Sequence, residues 1–395
     1  MHTFGGRSAR KGDRSPCCSA LPSSCPALED CGRVISGRNE RVDTKLGKLR
    51  ALFADSGIDG LIITGPENRY YMSGFSGSAA TLVISADRAA LITDFRYVEQ
   101  AKAQAPEYHV YMHKNPMTDT LREVVREMGV TKLGFESDRI TFSEYDTFAK
   151  ALEGVATVPV KGLVESLRQI KNEHEIELIA KAVSITDDAF DHILGLIKPG
   201  VTEAEIANEL LAFMIKRDMR PSFDFIVASG VRGAMPHGVA SDKPIECGDL
   251  VTLDFGGFYQ RYTSDMTRTV VVGPPSDEQR SIYDLVLRAQ LAGIEAARAG
   301  STGAEVDRAS RAIIEEAGHG DHFGHGLGHA VGLEIHESPR FSPADSSVMR
   351  PGMVLSVEPG VYVPGWGGVR IEDLVVITDG EAKVLTRSPK HLIQL

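Results

Sequence analysis

Residues 249–272 read DLVTLDFGGFYQRYTSDMTRTVVV. Two runs of β-branched and aromatic residues flank a turn region opened by Gly256 and Gly257, so the stretch is expected to fold as an antiparallel hairpin. Each arm carries one aspartate where an apolar residue would be expected, Asp254 in the first and Asp265 in the second. Directly opposed hairpin residues are an odd number apart, and these two are eleven apart. A turn centred near Tyr259 and Gln260 sets them face to face. Opposed carboxylates repel unless a cation lies between them, and a divalent metal is the simplest one. The alternative is a polar pair on a solvated face. Leu253, Phe255 and the valine run argue against that exposure.

Working downstream, HFGHGLGHAVGLEIHESP (322–339) gives His325 and His329 the i,i+4 spacing of a helical zinc pair. Gly324, Gly326 and Gly328 disfavour the helix and suggest a backbone that must approach something closely. One histidine can serve as a metal ligand while His325 and His336 line the pocket. Further on, Glu358 in MVLSVEPGVY (353–362) ends an apolar strand run just before Pro359. Glu372 in GGVRIEDLVVIT (367–378) sits inside another, flanked by Ile371 and Leu374. A carboxylate inside an apolar strand is costly unless paired or metal-bound. Strand period two puts Arg370 on the face of Glu372, where it can orient that carboxylate. A plain Arg–Glu surface pair is the alternative for that segment.

Two aspartates, one histidine and two glutamates fill two coordination spheres if some carboxylates bridge. Such an oxygen-rich set with one imidazole suits manganese, cobalt or iron, with zinc also possible. Two ions about 3.5–4 Å apart can activate a shared water, which is hydrolysis chemistry.

Working outward, the chain of 395 residues is long enough for two domains. From residue 42 to 162, helix-like segments alternate with the strand-like GLIIT, TLVIS, AALIT, HVYMH, KLGFE and ATVPV, which predicts a smaller α/β domain. Residues 163–395 form an α+β domain. It opens with a long amphipathic helix from Leu163 to Ile197 and a second helix started by the capping box of Thr202 and Glu205. Further helices are expected over Asp277–Ala299 and Gly303–Ala317.

Residues 1–41 are rich in Ser, Pro, Gly and Arg, lack periodicity, and are read as a disordered extension, with a true start near Val42 as one hypothesis. They hold Cys17, Cys18, Cys25 and Cys31, whose spacing matches no common zinc pattern, while Cys247 stands alone in the body. The lone body cysteine fits a reducing cytoplasm. A net charge of −11 disfavours nucleic acid as a partner, and no apolar run approaches the roughly 18 residues of a membrane span.

DFGG, TSDMTRT, GHGLGHAVGLEIHE, SVEPGVY and VRIED, in this order and spacing, resemble the proline-specific metallopeptidases, Xaa-Pro dipeptidase (prolidase) and aminopeptidase P, of the methionine aminopeptidase and creatinase superfamily. The resemblance covers about residues 42–395 and implies a "pita-bread" catalytic domain behind a smaller α/β domain. It implies that Asp254, Asp265, His329, Glu358 and Glu372 bind two divalent metal ions, manganese first. Glu358 then also handles protons at the attacking water. His237, in AMPHG, and His336 match pocket histidines that contact substrate and stabilise the oxyanion, His325 a lesser lining position, and Arg370 the ligand-orienting arginine. The implied substrates are Xaa-Pro dipeptides, or peptides with proline second, and the implied assembly is a homodimer.

The rivals are a methionine aminopeptidase, disfavoured by the long front domain, a metal-free creatinase-like hydrolase, and a binding module that should have lost ligands. Within proline specificity a dipeptidase is expected over an aminopeptidase, because no third domain follows. Arg69 and Arg96 are candidates for gripping the substrate carboxylate.

Overall fold

The computed structural model describes residues 44–114 and 116–395. The extension over 1–41, its four cysteines and the start near Val42 lie outside the described residues.

A six-stranded sheet organises the first part. Its strands run, edge to edge, His109–Met112, Ala89–Thr93, Ala80–Ser85, Gly60–Ile63, Lys132–Glu136 and Ala156–Val160. The strands Gly60–Ile63 and Ala89–Thr93 are buried throughout, as expected of apolar runs covered on both faces. Ala80–Ser85 and Ala89–Thr93 pair antiparallel across a short turn at residues 86–88. Helices Lys45–Ala51, Val98–Gln104 and Met117–Glu127 alternate with these strands, as expected of an α/β domain. Helices Pro66–Ser73 and Phe142–Ala151 were not anticipated.

The long helix expected from Leu163 to Ile197 is two helices, Leu163–Arg168 and Glu173–Leu194. Asn172 stops the run by capping the second helix reciprocally with Glu175, and Lys171 N donates to Gly352 O at 2.9 Å, pinning the break to the later half of the chain. The Thr202–Glu205 capping box starts Glu203–Ile215 as expected.

A three-stranded and a five-stranded sheet organise the second part, joined where Glu372 N donates to Thr267 O at 3.0 Å. The first is ordered Met266–Val271, Leu250–Phe255, Ile226–Ser229; the second Glu337–Phe341, Gly328–Ala330, Val354–Val357, Asp373–Val376, Lys383–Val384. Residues from Glu173–Leu194 and Glu203–Ile215 share one core with the first sheet, and residues from Asp277–Ala296 and Gly303–Glu316 share another with the second.

The hairpin turns one position later than the spacing suggests. Tyr259 opposes Tyr262, and Asp254 opposes Thr267 rather than Asp265. The two turn residues, Gln260 and Arg261, have φ of 46° and 74°. Positive φ at both central positions is the hand that matches strand twist, and it is bearable here because Arg261 is held: its Nη2 donates to Ser76 O at 2.6 Å and its guanidinium lies over the Tyr70 ring. Asp265 precedes Thr267 by two residues, so period two still brings it to the face of Asp254, diagonally. Gly256 allows the arms to close there. A Cβ on it would lie 2.1 Å from Ser264 O and 3.1 Å from the Cα of Asp265. Gly256→Ala is therefore expected to destabilise the protein by about 1–3 kcal/mol, measured by denaturant unfolding, since the clash is with backbone that cannot rotate away.

Candidate metal centre and substrate cleft

Asp254, Asp265 and Glu372 converge where the two sheets meet, each offering an oxygen within 4.8 Å of the others. His329 Nε2 stands 3.6 Å from Asp265 Oδ2 and 3.4 Å from Glu358 Oε1, which joins all five expected residues into one cluster. Asp254 Oδ1, Asp265 Oδ1 and Glu372 Oε1 are buried without a hydrogen-bond partner. Buried unpaired carboxylate oxygens are among the costliest groups a fold can keep, and three in one spot fit a cation held between them. The donor chemistry agrees. His329 Nδ1 lies 3.2 Å from Ala330 O, so it donates there and leaves Nε2 as a bare acceptor facing the carboxylates.

Electrostatics without a cation are unfavourable. Burial, then repulsion from Asp254 and Glu358, drives the Asp265 carboxyl well above its ordinary range, and burial and Asp265 do the same to Glu372. Burial pushes Glu358 up to about 7. Burial, helped by His336, lowers His329 to about 3, so its imidazole is neutral.

The surrounding residues hold these groups in place. Arg370 Nη2 donates to Asp254 Oδ2 at 2.6 Å, Nη1 to Tyr362 Oη at 2.8 Å and to Pro236 O at 3.3 Å, and Nε to Thr267 Oγ1 at 3.0 Å. This corrects the expected Arg370–Glu372 partnership: Arg370 grips Asp254 and reaches Glu372 only through Thr267, whose hydroxyl donates to Glu372 Oε2 at 2.7 Å. Glu372 itself lies in the break between Gly367–Arg370 and Asp373–Val376, not inside a strand. The fully buried Arg268 fixes that break by donating to Glu372 O and, at 2.7 Å, to Asp373 Oδ1. Ser356 Oγ accepts from His329 N and donates to Glu358 Oε1, both at 3.0 Å. Gly328 carries no Cβ because one would stand 2.0 Å from Ser356 O.

The histidines ring the centre. His336 packs edge-on against His329 with ring centroids 4.4 Å apart. His325 Nε2 lies 2.9 Å from Tyr362 Oη, and burial lowers it to about 4. His237 is exposed on the loop that Arg370 holds at Pro236, near enough to add to the lowered basicity of His325 and His336. Neither guessed arginine belongs here. Arg69 is buried and donates to the carbonyls of Ala80 and Gly77, and Arg96 forms a two-point pair with Asp94. Arg340, not singled out in the sequence, lies opposite His329 in the ladder. With His336, Arg139 and Glu334 it lines a cavity of about 160 Å³, and no acceptor for its guanidinium occurs among the described residues.

Thr267, Ser356, Tyr362 and Arg340 were missed by sequence reasoning. Thr267 and Thr269 do carry a signal, since they alternate in an apolar strand on the face of Asp265.

Metal-free protein is expected to lose stability as pH rises from 4.5 towards about 7. Folded Glu358 keeps its proton up to about 7, whereas unfolded glutamate releases it near 4.5, so the folded state alone binds that proton in between and rising pH favours unfolding. Thermal midpoints in chelator across this window should fall, and added manganese should reverse the fall.

Comparison with known proteins agrees with the geometry. Residues 177–379 match the metallopeptidase family M24, and residues 45–170 match the creatinase/prolidase N-terminal domain. An Xaa-Pro dipeptidase of Pyrococcus furiosus is 41% identical over 88% of this chain and 99% of its own. The structure of an Xaa-Pro dipeptidase from Bacillus anthracis is similar with a TM-score of 0.88 and 50% identity, over 89% of this chain and 99% of that one. An X-Pro aminopeptidase from Thermotoga maritima is similar with a TM-score of 0.82 and 37% identity, over 88% of this chain and 100% of that one. The chain is a peptidase that belongs to metallopeptidase family M24, an α+β pita-bread catalytic domain joined to a creatinase/prolidase N-terminal domain.

Proposed function

We propose that this protein is a dinuclear-metal Xaa-Pro dipeptidase, with Asp254, Asp265, His329, Glu358 and Glu372 as ligands. The observation that carries the reading is the set of three buried, unpartnered carboxylate oxygens on Asp254, Asp265 and Glu372. Charge supports two ions rather than one. With all four carboxylates ionised, as metal ligands are, they would face the buried cation of Arg370 beside a neutral His329, a deficit of three charges. One divalent ion leaves the site anionic; two leave it slightly positive, which suits an oxyanion. Manganese is the favoured metal for an oxygen-rich set with one imidazole, with cobalt, iron and zinc as alternatives. Ions bound there supply an activated water and charge neutralisation at the scissile carbonyl.

The protein's own groups do the rest. Glu358, with Ser356 as its hydrogen-bond donor, is placed to take the proton of the attacking water and pass it to the leaving imino nitrogen. His237 and His336 flank the centre as donors to the oxyanion, a role worth about 3–4 kcal/mol for each donor. Arg370 keeps Asp254 from swinging away and leaves its second oxygen free.

The choice of a dipeptidase rests on Arg340. A free guanidinium beside His336 suits the C-terminal carboxylate of a two-residue substrate, and the Arg139–Glu334 ion pair forms a wall of the same cavity. The domain division at residue 162, a cytoplasmic location and a homodimer complete the proposal, the first supported by the sheet that ends at Val160.

Metal-stripped enzyme reloaded with manganese, cobalt or zinc should cut Ala-Pro and Gly-Pro but not Xaa-Pro-Yaa tripeptides. Tripeptide cleavage would make it an aminopeptidase P, and cleavage of neither would sink the reading. Asp265→Ala should abolish turnover with loss of bound metal. Arg340→Met should raise KM for Ala-Pro by about 10–100-fold, the loss of one charge-assisted contact, with a much smaller change in kcat.

A further inference from the structure

Glu337 follows His336 directly and begins the strand Glu337–Phe341, yet its side chain points away from the metal centre into a buried ion cluster. Its Oε1 accepts from Leu333 N at 2.9 Å, from Glu334 N at 3.3 Å and from Arg168 Nη2 at 2.5 Å; its Oε2 accepts from Lys171 Nζ at 3.1 Å. The side chains of Glu337, Arg168 and Lys171 are 6%, 3% and 2% exposed, so water cannot replace these contacts. The carboxylate is packed against the loop it caps. A Cβ on Gly332 would stand 2.6 Å from Oε1.

The clamped segment is the one that carries the cleft. Ala330 opposes Glu337 and His329 opposes Arg340, with a bulge between them, so residues 331–336 loop out and deliver His336 against His329. Gly332 O also accepts from Thr263 N at 3.0 Å, which ties the loop to the hairpin arm bearing Asp265. Arg168 and Lys171 come from the end of Leu163–Arg168 and the break that follows it. Arg168 further donates to Asn68 Oδ1 at 2.7 Å, and Arg139 grips Glu334 through both nitrogens at 2.8 and 2.7 Å. The loop is thus fastened from behind by the N-terminal domain and the linking segment.

We infer that Glu337 is a positioning residue, acting through its own loop to hold His336 against the metal centre, with Arg168 and Lys171 as its anchors. This rests on the reading of His336 as a group that faces the substrate. Two consequences follow from the geometry. Loss of the carboxylate frees two loop amides, leaves buried Lys171 without its ion partner and leaves Arg168 with Glu334 alone, so the loop relaxes and His336 moves. The ligands on the other segments keep their own supports, Arg370, Thr267 and Ser356, so metal should stay bound.

The test is a double-mutant cycle on the metal-loaded full chain, with Glu337→Gln, His336→Gln and the pair, reading kcat/KM and bound metal. Glu337→Gln should lower kcat/KM by about 10–100-fold with unchanged metal content, and the double variant should fall within about twofold of His336→Gln alone, because both changes remove one function. Losses that multiply, or that track lost metal, would overturn the inference in favour of a general packing role. If Glu337→Gln does not fold, Lys171→Met takes its place in the cycle and is read by the same criterion with a smaller expected loss. The cycle uses whichever peptide the unaltered enzyme cuts, so failure of the proline-specific reading shows in the unaltered enzyme, and failure of this one shows in the cycle.

Discussion

A single buried guanidinium, that of Arg370, faces Asp254 and the carboxylates clustered around it, and it makes an ion pair with Asp254 alone. Asp265, Glu358 and Glu372 have no such partner; each is instead pushed towards its protonated form by burial and by its neighbours. A fold that keeps so much negative charge away from water needs cations to relieve it, and much of the local architecture prevents the usual escape, rotation towards solvent. Arg370 holds Asp254 and, through Pro236, the loop of His237; Thr267 holds Glu372; Ser356 holds Glu358 and the amide of His329. Bound divalent ions would relieve that strain, which is why this cluster is the candidate metal centre.

The same constraint explains what could be read from the sequence. A carboxylate in an apolar run is conspicuous, so Asp254, Asp265, Glu358 and Glu372 stand out from their flanking residues, and His329 from its glycines. Spacing alone could place Asp254 and Asp265 on one face but not choose the turn, because moving the centre by one position preserves their faces. The observed turn is held by contacts that spacing does not reveal, among them the bond from Arg261 to Ser76, 185 residues away, and the pairing of Gly257–Tyr259 with Met219–Pro221. Long-range hydrogen bonds are equally invisible to periodicity. Arg370 looked like the partner of Glu372 because both were placed in one strand, whereas the chain breaks between them and the guanidinium reaches back 116 residues to Asp254.

Helices show the same division. Capping boxes at Thr202 and Thr302 begin amphipathic segments that declare themselves. Phe142–Ala151 has a capping box too, from Thr141 and Glu144, but buries no residue fully, so its apolar stripe is weak. In Pro66–Ser73 the buried set includes Asn68 and Arg69, polar residues whose partners lie in distant strands and helices, and Ser73, whose hydroxyl donates to Arg69 O within the helix. The break at residues 169–172 is hidden for a related reason: Gln169, Ile170 and Lys171 do not disfavour helix strongly, and the stop comes from the Asn172 cap together with the bond from Lys171 N to Gly352 O.

That break has a structural consequence beyond ending a helix. A continuous helix from Leu163 to Ile197 would spread its residues evenly around one axis. Arg168 and Lys171, three residues apart, would share a face even then; what the break adds is the bond from Lys171 N to Gly352 O, which pins the pair where both reach Glu337, behind the loop that carries His336. The N-terminal domain contributes Asn68 and Arg139 to the same cluster, and the hairpin tip returns a contact to Ser76 and Tyr70. The carboxylates on the hairpin and the histidine on the loop are therefore each braced against the first domain at a different point. Displacing one domain relative to the other would shift both the hairpin and the loop, so the first domain bears on the candidate site through the shape it imposes, without supplying any of its five clustered side chains.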